Sequence, residues 1–239
     1  MAPRINDLWV YLSASPLLGL TLTLIAYQAA CWIHRRAKFS PLANPVLIAV
    51  SALVALLTVT GTSYQTYFDG AQFVHFLLGP ATVALAVPLY TQFRRVRALL
   101  VPVVAGLLVG SFTAVASAVL VARFFGASLA TQLSLAPKSV TTPIAMGVAE
   151  RIGGIPSLTA VLVITTGILG AVIGRYLFDA LRIRDAAIRG FATGITAHGI
   201  GTARAFQESE QAGAFAALAM GMNGLITALL LPVLVPLLQ

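Results

Sequence analysis

The feature that most constrains this chain is a series of apolar runs that recur along most of its length. Only 9% of its 239 residues are charged, whereas 59% are hydrophobic, and the mean hydropathy is +0.93. A water-soluble domain of this composition would have too little polar side-chain area to cover its surface. The sequence therefore indicates an integral membrane protein.

Six segments are long enough, or nearly long enough, to cross a bilayer as helices. A helix rises about 1.5 Å per residue, so a hydrocarbon core of about 30 Å needs about 20 residues. We expect an all-helical polytopic protein with spans at residues 8–33, 46–61, 71–91, 98–122, 156–178 and 212–236. The first run lacks a basic segment before it and is too long for a signal peptide, so it is expected to remain as a span.

The basic residues lie in short clusters between the apolar runs. Although the net charge is +8, this placement predicts which loops face the cytoplasm and does not indicate a nucleic-acid-binding face. The N-terminus, with Arg4, is expected outside. The clusters expected in the cytoplasm are Arg35, Arg36 and Lys38; Arg94, Arg95 and Arg97; and Arg175, Arg182, Arg184 and Arg189.

Two further stretches fit this topology only if each begins and ends on the same side of the membrane. They are residues 128–155, expected to begin outside, and residues 186–210, expected to begin inside. In the alternative, each stretch crosses as a broken span, which would place residues 182–189 outside. The predicted helix breaks are Pro137 and Pro143 in the first stretch, Gly199 and Gly201 in the second, and Gly79 with Pro80 in the span 71–91.

The same two stretches contain a weak internal repeat. A shift of 61 residues places Ala136 on Ala197, Thr141 on Thr202 and Thr166 on Thr227. Two such units, about 128–178 and 186–236, would run in opposite directions within a single membrane domain spanning residues 1–239. Inverted units whose broken helices meet near the bilayer midplane are a common construction of secondary transporters.

Residues 137–145 place a lysine and several hydroxyl groups at membrane depth. Irregular backbone survives there only where it is buried in protein or lines water, and a central charge costs about 2.5–3.5 kcal/mol. We expect Pro143 to begin a helix whose free amides, together with Lys138, bind a carboxylate or phosphate. In the alternative, Lys138 extends to the outer headgroups and the prolines end a surface loop. The hydroxyl groups available as caps and substrate contacts belong to Ser139, Thr141 and Thr142.

Polar side chains of the second stretch and the last span complete the candidate binding site. His198 is predicted to couple proton movement to substrate movement, because histidine titrates near neutral pH. The alternative is a buried histidine bonded to a backbone carbonyl. Thr202 is predicted as a hydroxyl contact and Arg204 as a second anion contact from the inner side. Asn223 is predicted to bond either the substrate or an opposed backbone carbonyl.

Several kinds of chemistry lack their usual residues in this sequence. It contains no Walker-type phosphate loop, no His-Glu-x-x-His motif and no nucleophile elbow, so neither ATP-driven transport nor membrane proteolysis is expected. The single cysteine, Cys31, allows no internal disulfide and no cysteine metal cluster. We expect no enzyme activity, no cofactor and no metal.

Three runs, in this order along the chain, resemble the LrgB/CidB family of membrane proteins. They are residues 76–90, 137–145 and 197–203, and the resemblance extends over essentially the whole chain. It implies an LrgB-like domain in a bacterial inner membrane. Bacterial members are described as antiholin-like regulators of murein hydrolase activity and autolysis, and some are linked to uptake of pyruvate or related carboxylates. The similar plastid proteins exchange glycolate and glycerate.

The resemblance also bears on partners. The plastid form contains a smaller LrgA-like membrane domain that this chain lacks, so a separate LrgA-like partner is implied. Besides membrane lipid, a homo-oligomer is a further expectation, because small residues at four-residue spacing, such as Gly170 with Gly174, permit close helix packing within the bundle or between protomers. No nucleic-acid partner is expected.

The residues favour transport over regulation. A holin-type protein acts by lateral association and needs no polar site with a buried cation. A carrier of two- or three-carbon hydroxy acids needs a cation and helix N-termini for the carboxylate, and hydroxyl groups for the substrate hydroxyl. We therefore expect a secondary carrier of monocarboxylates such as glycolate, glycerate, lactate or pyruvate, working by alternating access with proton coupling or exchange. The alternatives are an antiholin-like regulator and a solitary channel.

Overall fold

The computed structural model describes residues 16–77, 80 and 83–238. In this part of the chain every regular element is a helix, and the chain divides into two compact units, residues 1–84 and 85–239. The first unit contains α1 Pro16–Arg36, a short 3-10 turn at Pro41–Ala43, α2 Pro45–Thr60 and α3 Tyr64–Phe76. The second unit contains α4 Ala86–Thr91, α5 Phe93–Ala98, α6 Leu100–Phe124, α7 Leu129–Leu135, α8 Thr142–Ile152, α9 Pro156–Ala180, α10 Ala186–Glu208 and α11 Glu210–Leu238.

Four helices of the described chain are long and apolar enough to cross a membrane, namely α1, α6, α9 and α11. The helix α2 is shorter, with 16 residues, and also apolar. These five helices match five of the six predicted spans, although residues 8–15 of the first span lie outside the described residues. The predicted all-helical, polytopic architecture is confirmed.

The predicted span 71–91 is not one helix. The helix α3 ends at Phe76 in the first unit, and α4 begins at Ala86 in the second. Pro80 lies between them, and Gly79 lies outside the described residues. Proline has no amide donor and disfavours a helix interior, whereas in the first turn, where Pro88 lies in α4, the missing donor costs little. The interval between α3 and α4 contains the predicted break, Gly79 with Pro80, which hydropathy alone does not indicate because it does not count amide donors.

Local signals set the ends of α2 in the first unit. Asn44 precedes the helix, and its Oδ1 accepts hydrogen bonds from two amides of the first turn, at 2.9 and 3.2 Å. The helix ends at Gly61, whose φ of 64° is left-handed and suits glycine. Both ends of this span therefore follow directly from the sequence.

In the second unit, α6 and α11 run in the same direction. Near the start of α6, Val103 packs with Ala187 of α10 and Phe215 of α11. Near its end, Val119 packs against a cluster that contains Leu231 of α11. The first half of α6 therefore lies beside the first half of α11, and the second halves also lie together.

The helix α9 runs in the opposite direction to α6 and α11. Asp179, near its C-terminal end, forms an ion pair with Arg189 of α10. Asp185, just before α10, pairs with Arg95 at 2.8 Å. The basic residues at 94–97 and 182–189 thus share one end of this unit, which we call the arginine end.

Residues 186–208 form a hairpin, called hairpin 2, that begins and ends at the arginine end. The helix α10 is interrupted at His198, whose φ of 40° and ψ of −131° are not helical. Ala186 and Ala205 pack in one cluster with Ala212 and Ala216 of α11. A straight helix would separate Ala186 from Ala205 by about 28 Å. The chain therefore turns back at His198.

Residues 128–155 form a second hairpin, called hairpin 1, that begins and ends at the opposite end of the unit. Its return is set by Ser134, whose hydroxyl accepts a hydrogen bond from the amide of Ile155 at 2.7 Å. The hydroxyl of Thr159 donates to the carbonyl of Ser134 at 2.9 Å. Both ends of hairpin 1 thus lie where α6 ends and α9 begins, as the predicted topology requires.

Hairpin 1 with α9 and hairpin 2 with α11 have the same order of elements, a hairpin followed by a long helix. Because α9 and α11 run in opposite directions, the two pairs are inverted with respect to each other. In each predicted stretch the chain turns back to the end of the unit at which it began. This arrangement is the one that an inverted repeat produces.

Small residues bring hairpin 2 close to its neighbours. A Cβ atom built on Gly110 of α6 would lie 3.1 Å from the side chain of Ile195, and one built on Gly170 of α9 would lie 2.6 Å from that of Ala197. Gly174 has only an ordinary contact, at 3.7 Å. Gly110 and Gly170 therefore serve packing inside the second unit.

Candidate functional site

The tips of the two hairpins meet beside α9. Val140 and Ala145 of hairpin 1 pack against Val163. The carbonyl of Val163 accepts a hydrogen bond from Nε2 of His198, at the tip of hairpin 2, at 2.9 Å. Val163 lies about 10 Å along α9 from its first residue. Both helix breaks therefore lie inside the helical bundle and away from its ends.

The tip of hairpin 1 is a tight turn over residues 136–141. The amide of Lys138 bonds the carbonyl of Leu135 at 3.1 Å, and the amide of Val140 bonds that of Pro137 at 3.2 Å. Pro137 is fully buried. The predicted interruption at Pro137 thus lies in a turn that is packed inside the protein, as irregular backbone at membrane depth requires.

The helix α8 leaves this turn with free amides at its start. It begins at Thr142, and Pro143 lies in its first turn. The amide of Ala145 bonds the carbonyl of Thr141 at 2.9 Å. The amides of Thr142 and Ile144 precede the first helical hydrogen bond, so they have no partner within the helix. The predicted helix start at Pro143 is confirmed to within one residue.

The predicted hydroxyl cap of α8 is wrong. Thr141 occupies the capping position, but its side chain makes no capping hydrogen bond. A capping oxygen normally accepts from the second or third helical amide, and Pro143, at the second position, has no amide hydrogen. The hydroxyl groups of Thr141 and Thr142 bond no other described residue, and both side chains are half-buried.

Lys138 is the cation of this tip, and its side chain is half-buried. Its Nζ donates to Oγ of the buried Ser139 at 3.2 Å. No carboxylate among the described residues pairs with it. An ammonium group that is partly removed from water and has no counter-ion favours an anionic ligand. The free amides at the start of α8 favour negative charge for the same electrostatic reason.

Asn223 connects the two hairpins. Its side chain is 1% exposed, and its Nδ2 donates to the carbonyls of Ser139 and Ile195, each at 3.1 Å. Its Oδ1 accepts from the hydroxyl of Ser111 of α6 at 2.6 Å. The sequence predicted either the substrate or an opposed backbone carbonyl as the partner of Asn223. In the structure its amide bonds two backbone carbonyls.

His198 is buried and bonded to the backbone. It is 4% exposed, and a carbonyl can only accept a hydrogen bond, so Nε2 carries the proton that it donates to Val163. Nδ1 bonds no other residue of the described chain. This geometry is the one that the sequence left as the alternative, and proton coupling by His198 stays a prediction.

The predicted breaks at Gly199 and Gly201 are wrong by one and three residues, because the break lies on His198. Neither glycine has a positive φ. Gly201 provides space, since a Cβ atom there would lie 2.5 Å from the Cβ of Ala197. The hydroxyl of Thr202 donates to the carbonyl of His198 at 2.7 Å. This bond, with that of the imidazole, holds the non-helical residue in place.

Arg204 lies beyond the break, toward the arginine end. Its Nη1 donates to Gln207 at 2.9 Å, and its Nε lies 4.0 Å from a carboxylate oxygen of Glu208. Its guanidinium therefore keeps one hydrogen bond and one long ion pair within its own helix segment, and its buried Nε makes no hydrogen bond in the described chain. The structure brings Lys138, Ser139, Thr141, Thr142, His198 and Asn223 to the hairpin tips, and it leaves Arg204 outside them.

Two residues of this region carry no clear sequence signal. Ser111 is a single hydroxyl in an apolar span, which is a weak indication of a polar contact within the bundle. Val163 acts through its backbone carbonyl, so its side chain indicates nothing. Both positions become recognisable only when their partners are placed beside them.

The fold and the site define a polytopic, all-helical membrane protein in which two hairpins from opposite ends of the second unit meet inside the bundle. The chain belongs to the LrgB-like family, whose model matches residues 23–237.

Individual relatives are similar in sequence over nearly the full chain. The uncharacterized protein YwbG of Bacillus subtilis is 37% identical over 88% of this chain and 93% of its own. The holin-like protein CidB of Staphylococcus epidermidis is 31% identical over 94% and 97%. The antiholin-like protein LrgB of Bacillus mycoides is 29% identical over 93% and 96%. No solved structure matches the chain. The family resemblance of the three sequence runs is confirmed, and the relatives named here are bacterial.

Proposed function

We propose that this protein is a secondary carrier of small monocarboxylates. The observation that carries the proposal is Lys138, a half-buried cation without a described carboxylate partner, at the tip of a re-entrant hairpin. Such a charge is costly inside a membrane and is rare unless it serves a site. A lysis regulator that acts by lateral association has no use for it.

The groups around Lys138 suit a short hydroxy acid or keto acid. In this proposal the substrate carboxylate binds the ammonium of Lys138 and the free amides of Thr142 and Ile144. The hydroxyl of Thr141 or Thr142 bonds the hydroxyl or carbonyl of the substrate. The single ammonium of Lys138 matches a single carboxylate, and glycolate, glycerate, lactate and pyruvate each carry one carboxylate.

Three other predicted contacts have smaller roles in the proposal. The hydroxyl of Thr202 and the amide of Asn223 donate to backbone carbonyls. In the proposal these two side chains hold the backbone of the hairpin tips and do not contact the substrate. Arg204, bonded within its own helix, is not assigned a substrate contact.

The inverted hairpins support alternating access. Each hairpin enters from its own end of the second unit, and the tips meet between the two ends, where a substrate could be reached from either side in turn. In this proposal the protein lies in a bacterial inner membrane, and the arginine end faces the cytoplasm, as the positive-inside rule predicts for clustered basic residues.

Uptake of radiolabelled glycolate into proteoliposomes preloaded with glycerate tests the proposal. We expect saturable exchange in the wild type. Lys138→Gln should raise KM about 10- to 100-fold, because a hydrogen bond to a charged group contributes about 1.5–3 kcal/mol. Arg123→Gln is the matched control, since it removes an exposed cation at the end of α6 and should leave uptake unchanged. If well-folded wild-type protein shows no saturable uptake, with or without an LrgA-like partner, the proposal is wrong.

The names of the relatives favour a second function. CidB is called holin-like and LrgB antiholin-like, which suggests a regulator of murein hydrolase activity and autolysis acting with an LrgA-like partner. Complementation separates the two functions. A deletion strain whose autolysis is restored equally by wild type and Lys138→Gln would favour regulation. Loss of complementation by Lys138→Gln, with Arg123→Gln still active, would favour transport.

A further inference from the structure

We infer that Asn223 is a positioning residue that holds the two hairpin tips in one register, so that the carboxylate site on hairpin 1 is complete only while hairpin 2 is in place. The inference rests on the proposed function for its effect on transport. It rests on the hydrogen bonds alone for its effect on the hairpins.

The Asn223 side chain joins its own helix to three other elements. Asn223 lies near the middle of α11 and bonds α6 through Ser111, hairpin 1 through Ser139 and hairpin 2 through Ile195. All four residues are buried. The bonds to Ser139 and Ile195 therefore join Asn223 to both hairpins at once.

Asn223 is connected to the anion site through Ser139. Ser139 is held twice, because its carbonyl accepts from Asn223 and its hydroxyl accepts from Nζ of Lys138 at 3.2 Å. Asn223 therefore fixes the backbone of the residue that orients the ammonium. On the other side, Ile195 lies in the last turn before the break at His198. Displacement of either hairpin tip thus strains the hydrogen bond between Asn223 and the other tip.

Only an asparagine amide supplies this set of hydrogen bonds with a side chain of this size. It has two N–H donors on one nitrogen for the two carbonyls and one oxygen for the hydroxyl of Ser111. Aspartate has no N–H donor and would face two carbonyls with acceptors only. Leucine has nearly the same shape and bonds none of the three groups. Asn223→Leu therefore removes the link without leaving a large cavity.

Hydrogen exchange of the full-length protein in nanodiscs tests the link without any assumption about transport. In Asn223→Leu, amides at both tips, residues 136–142 and 194–200, should exchange about tenfold faster, since local opening sets protection. The matched control is Asn44→Leu, another buried asparagine, which caps α2. It should raise exchange only at the start of α2. Faster exchange in one hairpin alone, or in neither, would overturn the inference.

Kinetics then distinguish positioning from direct contact with the substrate. Asn223→Leu should raise KM about tenfold for both glycolate and acetate, which lacks the hydroxyl, and leave the ratio of the two KM values unchanged. Ser111→Ala should raise both KM values less, and Ser111→Thr, which keeps the hydroxyl, should restore them. A changed ratio would make Asn223 a substrate contact, and unchanged KM values would remove its role in binding.

The two failures are separable. If the wild type moves no carboxylate, the proposed function is wrong, and hydrogen exchange still decides whether Asn223 links the hairpins. If the wild type transports and Asn223→Leu matches it in both measurements, the carrier stands and the positioning role is wrong.

Discussion

At the scale of single residues, His198 combines an unusual backbone conformation with a buried hydrogen bond of its ring, and substitution by alanine or by glycine distinguishes the two. Its φ of 40° and ψ of −131° resemble the first central position of a type II′ turn, where glycine is favoured. Its ring also donates to Val163. Alanine and glycine at this position both lose the hydrogen bond of the ring. Alanine retains the steric cost of the positive φ, whereas glycine does not.

We therefore predict that His198→Ala is less stable than His198→Gly, by about 1 kcal/mol. This order is opposite to that of a regular helix, where alanine is favoured over glycine by about 1 kcal/mol. Thermal unfolding of both variants in detergent measures the difference.

A regular helical position provides the control for this comparison. Ala203→Gly, at an exposed site after the break, should lower stability by about 1 kcal/mol. A His198→Gly variant that is less stable than His198→Ala would show that residue 198 does not keep its left-handed φ.

At the scale of elements, the contact between α9 and hairpin 2 depends on glycines that face the break. A Cβ atom on Gly167 would lie 2.8 Å from two atoms of the His198 ring, and one on Gly170 would lie 2.6 Å from the Cβ of Ala197. Neither distance is compatible with the present packing. Alanine at either position must move α9 away from the tip of hairpin 2.

We predict that Gly170→Ala destabilises the protein by about 1–3 kcal/mol, as overpacking does. Gly174→Ala is the matched control on the same helix, because its Cβ would meet only Phe178 at an ordinary 3.7 Å. It should be neutral or more stable by up to about 1 kcal/mol. Equal effects of the two substitutions in thermal unfolding would show that α9 does not pack against hairpin 2 through Gly170.

At the scale of the whole molecule, the two hairpins and the positive-inside rule predict the side on which each loop is exposed. In a Cys31→Ser background, Phe125→Cys and Ser157→Cys flank hairpin 1, whereas Leu181→Cys and Glu210→Cys flank hairpin 2. A membrane-impermeant maleimide added to intact cells should label the first pair. The second pair should react only in inverted vesicles.

The pairs also provide their own control, since a re-entrant hairpin keeps both of its flanks on one side. Labelling of Phe125→Cys and Ser157→Cys from opposite sides would mean that hairpin 1 crosses the membrane. Labelling of both pairs with the sides exchanged would keep the hairpins and reverse the orientation predicted from the arginine end.

Much of the architecture follows from the sequence because its causes are local or periodic. Apolar runs longer than a bilayer requires predict helices such as α6 and α9 to within two residues at their ends. Prolines without amide donors predict the interruption at Pro137 and the start of α8. The basic clusters predict that residues 128–155 and 186–210 turn back. The interval between α3 and α4 contains the predicted break, Gly79 with Pro80, although hydropathy alone runs through it because it does not count backbone donors.

The sequence by itself thus determined the class of protein, the family and the two stretches in which the chain turns back. Only the tertiary structure decided which polar groups are used and which remain free. The sequence offered Lys138, His198, Thr202 and Asn223 together as ligands. Packing commits the last three to backbone carbonyls and leaves Lys138 without a described acidic partner. The physical reason is distance along the chain: Asn223 meets the carbonyl of residue 139, and no local propensity or period encodes a contact between segments so far apart.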